Sequence, residues 1–352
     1  MTSYTVHIEA LDTDVECRED QNILDACLRN GVWLPHACGH GTCGTCKVDV
    51  LEGDVHHNDA SEFALMEYER NEGKTLVCVA TPASDVVIEA DVEIEEGVVM
   101  HSVKDFEGTL TALDDVARAT RRLIIDLETE ITFNPGQYVQ VQLPDGDTRS
   151  WSVASSPSSP KQIELTIRNT PGGKGTEGWV FKDLKVGDKI KLTGPYGRFF
   201  IRTAKEKPII MIGGGTGLSP LKSMVTHILE EELEHEMHLY HGVRIADDLY
   251  DVDYFRQLEE EHEGQFSYHP CLSEEDGVDG TSFGLVTDVI DTDFPTLRGR
   301  TAYLCGPPPM VEASLKLLMK KRLFPRDTYR EDFFDSSDKN TGGTRSPLMR
   351  TN

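Results

Sequence analysis

Apolar and polar positions alternate over short segments in the first hundred residues, which is the pattern of strands with one buried face. Tyr4–Glu9 and Val15–Arg18 alternate on either side of an acidic turn and predict a hairpin. Asp20 is placed to cap a helix over Gln21–Leu28, and Ala60–Arg70 has the spacing of a second amphipathic helix. Further strands are predicted at Val48–Leu51, Leu76–Ala80 and Val86–Ala90. This combination predicts a small β-grasp-like unit.

The pattern changes twice further along the chain. From about residue 103 to 203, alternating segments are separated by turns such as Asn134-Pro135-Gly136, which predicts an all-β barrel. Its predicted strands are Phe106–Leu113, Ala119–Leu127, Tyr138–Leu143, Arg149–Val153, Gln162–Arg168 and Lys189–Thr193. From about 205 to 335, short apolar strands alternate with helices, which predicts a parallel sheet covered on both faces. The predicted elements there are Pro208–Ile212, Leu218–Glu231, Met237–Val243, Asp251–Glu261, Phe266–Leu272, Leu285–Val289, Ala302–Cys305 and Val311–Lys321.

The charge of the chain is unevenly distributed, and this narrows the choice of partners. The 352 residues carry a formal net charge of −26, and the first hundred hold 21 acidic and 5 basic residues, or −16 of that total. Such a surface disfavours nucleic acid as a partner. It suits docking to a basic patch on another protein, although solubility or adaptation to salt explains it equally well.

Nothing in the sequence predicts secretion or a membrane span. The chain opens on a strand pattern and not on a signal peptide, and no apolar run approaches the ~20 residues that cross a bilayer. The eight cysteines are not spaced like a secreted disulfide framework. We therefore expect a soluble protein of a reducing cytoplasm.

Four cysteines have the spacing of ligands to a plant-type [2Fe–2S] cluster. Cys38, Cys43 and Cys46 follow C-x4-C-x2-C, and Cys78 is the distant fourth. The small residues between them let backbone N–H groups approach the sulfides. A zinc site is the weaker alternative because it needs a second close pair of cysteines. His40 lacks the matching half of a Rieske site and is interpreted as a loop residue.

Two further stretches suit a nucleotide in the predicted barrel. On the Arg149-Ser150-Trp151-Ser152 strand, alternation places Arg149 and Trp151 on one face and the two serines on the other. A flavin diphosphate needs such a cation, and its ring needs a stacking partner and polar contacts. Gly172–Thr176 precedes a predicted helix at Glu177–Lys182, and exposed N–H groups at a helix start bind anions. Each stretch alone is weak evidence.

A second glycine-rich turn suits a dinucleotide in the predicted parallel sheet. Gly213-Gly214-Gly215-Thr216-Gly217 connects a strand to a helix, where a pyrophosphate would bind. The following strand ends at a stretch with one cation, Arg244, and two adjacent carboxylates, Asp247 and Asp248. Because NADPH requires positive charge around its 2′-phosphate, this stretch favours NADH over NADPH.

Together with Gly194-Pro195-Tyr196-Gly197 and the late Cys305-Gly306-Pro307-Pro308-Pro309-Met310, these features resemble the ferredoxin–NADP reductase superfamily with an N-terminal plant-type ferredoxin domain. The family strand motif is Arg-x-Tyr-Ser, and Trp151 occupies its aromatic position here. The resemblance implies a multidomain α+β and α/β fold: a β-grasp ferredoxin domain at 1–97, a six-stranded antiparallel FAD-binding β-barrel at 103–204 and a doubly wound parallel-sheet NAD-binding domain at 205–335. Residues 336–352 are rich in Ser, Thr, Gly and Asn and predict a disordered tail.

The same resemblance implies roles for single residues. Arg149 would bind the FAD pyrophosphate, and Trp151 and Ser152 would contact the isoalloxazine, with Ser152 near its reactive N5. Cys305 would contact the nicotinamide at the hydride-transfer position, although alone it would be read as a packed strand-end residue. Phe333, or else Phe334, would shield the flavin ring or simply anchor the last strand. The other implied contacts are Ser150, Ile167, Arg168, Gly175 and Thr176 for FAD, and Gly213, Gly214, Gly215, Thr216, Gly217, Gly306 and Pro307 for NAD.

Across essentially the whole chain, the order of modules resembles the reductase component of bacterial multicomponent oxygenases, most nearly the soluble di-iron monooxygenases of the phenol hydroxylase type. Supporting stretches are Gly31–Pro35, Phe63–Met66, Ile88–Val92 and Leu304–Met310. The resemblance implies an enzyme in which NADH reduces FAD, FAD passes single electrons to the [2Fe–2S] cluster, and the cluster reduces a hydroxylase docked on the acidic ferredoxin domain. The alternatives are the reductase of a Rieske-type aromatic dioxygenase, a non-enzymatic iron–sulfur electron carrier, and an interaction protein with zinc in the cysteine loop.

Overall fold

The computed structural model describes residues 2–36, 39–92, 95 and 97–332. The sequence-predicted features outside these ranges are Cys38, Phe333, Phe334, the tail at 336–352 and residues 93, 94 and 96 of the linker Asp91–Gly97. The chain divides into two compact units, of which the first is Met1–Lys104 and the second begins at Asp105.

The first unit is a mixed sheet with one helix packed on it. Its elements are β1 (Ser3–Ile8), β2 (Thr13–Arg18), α1 (Ile23–Arg29), β3 (Lys47–Glu52), β4 (Val55–His56), α2 (Glu67–Asn71), β5 (Lys74–Leu76), β6 (Thr81–Pro82) and β7 (Val86–Glu89). Five strands form the sheet in the order β2-β1-β7-β3-β5, with β1 antiparallel to β2 and parallel to β7. Helix α1 buries Ile23, Leu24 and Leu28. This arrangement confirms the β-grasp prediction.

Three predictions in this unit are wrong. The strand predicted at Leu76–Ala80 is a strand only at Leu76, where β5 ends, and residues 77–79 form a turn. The helix predicted over Ala60–Arg70 is helical only in α2, and residues 60–66 are turns and extended chain. The spacing of their apolar side chains indicates a helix face, but the Ala64 and Leu65 N–H groups both donate to the Ser61 carbonyl, and the Ser61 N–H donates to Gly41 of the cysteine loop. Helix α1 is capped by Asn22, whose side chain accepts from the Asp25 N–H at 2.7 Å, and not by Asp20.

The second unit begins with a six-stranded antiparallel barrel. Its strands are β8 (Lys104–Ala117), β9 (Thr120–Leu127), β10 (Tyr138–Gln142), β11 (Thr148–Ser152), β12 (Gln162–Arg168) and β13 (Lys189–Tyr196). They lie in the order β11-β10-β13-β8-β9-β12, and a bridge between Val153 and Leu165 joins the first strand to the last. Alternate side chains, such as Leu123 and Ile125, fill the interior. The helix predicted at Glu177–Lys182 is a single π-helical turn, Thr176–Val180.

A parallel six-stranded sheet completes the second unit. Its elements are β14 (Ile209–Gly214), α3 (Leu218–Glu230), β15 (Met237–Val243), α4 (Val252–Glu261), β16 (Phe266–Leu272), β17 (Ser282–Phe283), α5 (Val286–Asp293), β18 (Thr301–Gly306), α6 (Pro308–Lys320) and β19 (Thr328–Asp332). The order is β17-β16-β15-β14-β18-β19. Along β14, Met211 packs with α3 and α4 on one face, while Ile212 packs with α5 and α6 on the other. The doubly wound prediction is confirmed, because β14 lies centrally and the later strands are added first on one side of it, as β15 to β17, and then on the other, as β18 and β19.

Candidate functional site

The cysteine loop brings two sulfur-bearing residues together through the backbone. Cys46 immediately precedes β3, and the Val77 N–H donates to the Cys46 carbonyl at 3.2 Å. Cys46 and Cys78, one residue beyond Val77, are therefore neighbours, and both are buried, whereas Cys43 is exposed. Cys38 lies outside the described residues. Cys46 and Cys78 suit two cluster ligands held in the body of the unit, with Cys43 on the loop; within the described part of the chain, no three such side chains converge as a metal site.

The loop is shaped by glycines that adopt left-handed backbone conformations. Gly39, Gly41 and Gly44 have φ angles of 72°, 75° and 78°, which residues with a Cβ rarely adopt. A chain that changes handedness in this way turns successive N–H groups toward one side. Such a concave set of donors suits the negative charge of an iron–sulfur cluster.

The segment at residues 60–65 packs against this loop and is held by Arg70. The Ser61 N–H donates to the Gly41 carbonyl at 3.0 Å. Arg70 donates through Nη2 to the Ala60 carbonyl at 2.9 Å and through Nε to the Leu65 carbonyl at 3.3 Å. The sequence analysis missed Arg70, because a lone arginine in a predicted helix carries no signal of a structural role.

On the barrel, β11 presents the predicted flavin residues on its two faces. Ser152 pairs with Tyr138, and Trp151 pairs with Val139 of β10. Trp151 is partly buried and stacks on Trp179, with ring centroids 6.5 Å apart and planes at 17°. Trp179 belongs to the π-helical turn and was not identified from the sequence. The strand thus carries an aromatic ring, stacked on Trp179, on one face and hydroxyl groups on the other, and these are the two kinds of group that an isoalloxazine ring requires.

Arg149 and the glycine turn before the π-helical turn lie against each other. A Cβ on Gly175 would be 2.8 Å from Cγ of Arg149, so the arginine stem passes directly over a glycine. The Arg149 guanidinium donates to the Thr148 carbonyl at 2.7 Å, and Thr176 Oγ1 is hydrogen-bonded within its own turn to Thr170. A cation beside a turn with no side chain in the way suits a pyrophosphate.

Ile167 and Arg168 differ in what they expose. Ile167 is 2% exposed and packs in the barrel interior, so its side chain faces away from solvent. Any cofactor contact at this position would involve its backbone. Arg168 is exposed, and its Nη1 lies 3.5 Å from the position that a Cβ on Gly215 would take. The end of β12 therefore reaches the glycine turn of the parallel sheet.

The turn Gly213–Gly217, which follows β14, requires glycine because other backbone atoms pack closely against it. A Cβ on Gly217 would be 2.0 Å from the Cys305 carbonyl oxygen, and one on Gly214 would be 2.8 Å from Cδ of Pro307. Gly306 has a φ of 156°, and a Cβ there would be 3.0 Å from the Gly214 nitrogen. The two predicted nucleotide motifs thus touch backbone to backbone. The turn forms one 3-10 turn, Gly215–Gly217, and leads into α3, whose N-terminal end suits a phosphate.

Cys305 itself is fully buried. Its side chain is 0% exposed and packs with Met211, Leu218 and Leu221. Contact between Cys305 and a nicotinamide, as predicted, would require neighbouring groups to move when the ring binds. Phe333, predicted to shield the flavin, lies outside the described residues.

Two largely buried side chains, Tyr250 and His241, contact each other next to the glycine turn. The Tyr250 hydroxyl donates to the Gly215 carbonyl at 3.2 Å, and the Tyr250 ring is 5.4 Å from that of His241. His241 Nδ1 lies 3.1 Å from the Tyr268 hydroxyl. Burial lowers the pKa of His241 to about 4, although the Gly215 carbonyl opposes the shift, so the ring is neutral at pH 7. Neither residue was identified from the sequence, because His and Tyr in strands are ordinary core residues.

The region beyond β15 is acidic, as the sequence predicted. Asp248 pairs with Arg118 of the barrel, with 3.1 Å between Nη2 and Oδ1. Glu275 accepts from the Ala246 N–H at 2.7 Å. The cation Arg118 is therefore engaged by a carboxylate. This environment suits a ribose hydroxyl better than a phosphate.

These three sites define the class of protein: an iron–sulfur flavoprotein oxidoreductase that uses a nicotinamide nucleotide. Sequence profiles agree with each site. The 2Fe-2S iron-sulfur cluster binding domain matches residues 6–83, the oxidoreductase FAD-binding domain matches 107–201, and the oxidoreductase NAD-binding domain matches 211–316.

Full-length relatives narrow the class further. The chain is 44% identical to the reductase component of phenol 2-monooxygenase from Pseudomonas sp. (strain CF600) and 42% identical to the phenol hydroxylase P5 protein of Acinetobacter pittii, over 99% of each chain in both cases. The crystal structure of the Amycolatopsis cytochrome P450 reductase GcoB matches with a TM-score of 0.86 and 40% identity, over 94% of this chain and 98% of that one. The protein belongs to the family of reductase components of bacterial multicomponent monooxygenases. Among the described helices, none is long and apolar enough to cross a membrane.

Proposed function

We propose that this protein is the NADH-dependent reductase of a di-iron hydroxylase in aromatic hydrocarbon catabolism, and that it works in the cytoplasm. The observation that carries the proposal is the full-length similarity to two phenol-oxidising systems, at 44% and 42% identity. A relative at 34% identity serves a naphthalene dioxygenase system, so a Rieske-type dioxygenase is the alternative partner. The domain limits proposed from the sequence are 1–97, 103–204 and 205–335.

Each module has a defined task in this proposal. FAD, when bound, accepts two electrons as a hydride and releases them singly to the iron–sulfur cluster. Arg149 and the turn at Gly175 and Thr176 hold its pyrophosphate, and Trp151 and Ser152 orient its ring. Cys43, Cys46 and Cys78, together with Cys38, hold the cluster. Gly213–Gly217 and the Gly306-Pro307 turn hold the nucleotide.

NADH is favoured over NADPH by the charge beyond β15. Two adjacent carboxylates, Asp247 and Asp248, accompany Arg244 there, and Asp248 is paired with Arg118. A 2′-phosphate placed against them would be repelled. Comparison of flavin reduction by NADH and by NADPH tests this preference, and equal rates at low nucleotide concentration would exclude it.

The surface next to the cysteine loop has the properties of a docking face. Phe63 is 93% exposed and follows Ser61, whose N–H contacts the loop at Gly41. Its exposed neighbours include the carboxylates Asp59 and Glu62. An apolar centre with an acidic rim fits a partner with an apolar pocket and basic edges.

Reconstitution with candidate oxygenases tests the proposed function. NADH-dependent hydroxylation with a phenol-type di-iron hydroxylase is expected, and turnover only with a Rieske oxygenase would support the alternative. Asp59→Asn with Glu62→Gln is expected to slow electron delivery to the hydroxylase and weaken its salt dependence. Glu234→Gln, an exposed carboxylate of the parallel-sheet module, is the matched control. If both variants behave alike, the docking face is elsewhere.

A further inference from the structure

Four charged side chains that are largely shielded from solvent form a closed ring in the second unit. Lys222 Nζ lies 2.8 Å from Glu164 Oε1 and 2.9 Å from Asp251 Oδ2. Arg122 lies 3.0 Å from Glu164 Oε1 through Nε and also pairs closely with Asp251 through Nη2. Each cation contacts both carboxylates, and each carboxylate contacts both cations. The ring is therefore neutral, and Arg122 Nε meets Glu164 as an ion pair without a hydrogen bond.

The members of the ring come equally from the two modules. Arg122 on β9 and Glu164 on β12 belong to the barrel, while Lys222 on α3 and Asp251, just before α4, belong to the parallel sheet. Their side chains are 24%, 12%, 11% and 6% exposed, respectively. Because each module contributes one cation and one anion, two ion pairs cross the boundary and neither module carries a net buried charge. Ion pairs in such surroundings are only weakly screened by salt.

The ring is connected to both sides of the nucleotide turn. Asp251 has a left-handed φ of 58°, and the preceding residue, Tyr250, donates to the Gly215 carbonyl at 3.2 Å. On the barrel side, Glu164 and Arg168 lie four residues apart on the same face of β12, and Arg168 lies beside Gly215. The ring thus fixes Gly215 relative to β12 from two directions.

We infer that Arg122, Glu164, Lys222 and Asp251 are positioning residues that hold the nicotinamide module at the distance and angle that hydride transfer to the flavin requires. None of them is among the residues assigned to a cofactor. Hydride transfer depends steeply on approach geometry, and an error of about 1 Å can lower a rate by about 100-fold. A rigid junction between the two modules therefore serves the reaction. The inference concerns only the NADH-to-flavin step and does not depend on which oxygenase is the partner.

Ion pairs at this junction fix the relative position of the two modules, which an apolar contact would not do. An apolar interface permits sliding, because its attraction is not directional. Charged hydrogen bonds have defined lengths and angles, so this ring of four side chains favours one relative position of the two modules. Buried ionic groups often add little stability compared with apolar residues, which makes geometry the better explanation of their use here.

The test separates geometry from stability through a double variant. Lys222→Met leaves two carboxylates facing one cation, and it is expected both to lower the melting temperature and to slow flavin reduction by NADH by about 10- to 100-fold. Lys222→Met combined with Glu164→Gln restores neutrality and keeps the pair of Arg122 and Asp251. We expect its melting temperature to recover while flavin reduction stays slow. The long-wavelength absorbance of the flavin–nicotinamide complex is expected to weaken in both variants, and amide hydrogen exchange at 215–217 to increase.

Two controls complete the experiment. Lys222→Arg keeps the cation and should retain most of the rate. Lys320→Met removes an exposed pair with Asp291, 3.1 Å apart on the same module, and should change neither the rate nor the absorbance. A double variant that reduces flavin at the wild-type rate would overturn the inference, as would a rate that always follows the melting temperature. Failure of hydroxylase reconstitution with normal flavin reduction would count against the proposed partner alone.

Discussion

The cysteine loop and the nucleotide turn are both rich in glycine, yet the glycines serve different physical needs. In the loop, Gly39, Gly41 and Gly44 adopt left-handed φ angles, and a Cβ on Gly39 would meet nothing within 4 Å. In the turn, Gly215 has a left-handed φ of 54°, but Gly217 does not, and a Cβ on Gly217 would collide with the Cys305 carbonyl at 2.0 Å. Gly39 is therefore needed for the direction of the backbone, whereas Gly217 is needed for close approach of two backbone segments.

This difference matches the two ligands. A cluster bound by thiolates needs a loop whose N–H groups point inward, and the strength of the site comes from the metal–sulfur bonds. A nucleotide that must come and go is bound by a preformed surface, so the protein must be rigid before the ligand arrives. Substitutions in the loop should therefore affect cluster binding, whereas substitutions in the turn should affect stability and nucleotide binding.

The largest effect is expected for a thiolate of the loop. Cys46→Ser removes a buried ligand and should abolish the [2Fe–2S] absorbance and electron delivery beyond the flavin, while NADH oxidation with ferricyanide continues. Cys17→Ser is the matched control, because Cys17 is buried in the same unit and its Sγ lies 3.4 Å from the Gln21 carbonyl, a contact that serine can keep. Retention of the cluster by Cys46→Ser would remove this residue from the ligand set.

Gly217→Ala should be the most damaging change in the nucleotide turn. The new Cβ overlaps the Cys305 carbonyl, so the backbone of one strand must shift, at a cost of about 3 kcal/mol. Urea unfolding measures this cost, and titration with NADH should show weakened binding. Gly178→Ala is the control, because a Cβ there would meet only the Gly173 carbonyl at 3.8 Å. Equal stability of the two variants would contradict the close-approach explanation.

Low pH should lower the stability of the parallel-sheet module, because His241 is buried there as a neutral ring. The buried ring has a pKa lowered to about 4, whereas the unfolded chain binds a proton near pH 6.5. Stability is therefore complete above pH 6.5 and declines as the pH falls toward 4, by about 2 kcal/mol at pH 5 from this residue. Urea unfolding of the wild type and of His241→Gln at pH 5 and 7.5 measures the effect. The variant should lose less stability; an unchanged pH dependence would exclude His241 as the cause.

Gly39→Ala should have the smallest effect. The substitution forces alanine into a left-handed conformation with a φ of 72°, which costs about 1 kcal/mol, but no atom obstructs the new methyl group. The cluster should assemble, and its loss in urea should occur at a slightly lower concentration. A cost as large as that of Gly217→Ala would show that the loop, too, is limited by packing.

Much of this protein was predictable from local patterns. Strand alternation placed Gln162–Arg168, Met237–Val243 and Phe266–Leu272 at their observed limits, and the order of the modules followed from the spacing of cysteines and glycines. The segment at residues 60–66 was predicted wrongly as helix, because the Ser61 N–H donates to Gly41 of the cysteine loop and the Ala64 and Leu65 N–H groups both return to the Ser61 carbonyl in a single turn. Local periodicity cannot report such contacts.

The sequence by itself determined which chemistry the chain can hold, since cluster ligands and phosphate turns are short motifs whose spacing is the signal. It could not reveal the ring of Arg122, Glu164, Lys222 and Asp251, because isolated charges far apart in sequence have no periodicity, and only folding brings them within hydrogen-bond distance. Nor could it show that Gly217 presses on the backbone of Cys305, since that need arises from two strands and a helix meeting in space. Motifs are local, whereas the geometry that aligns them depends on contacts between distant segments.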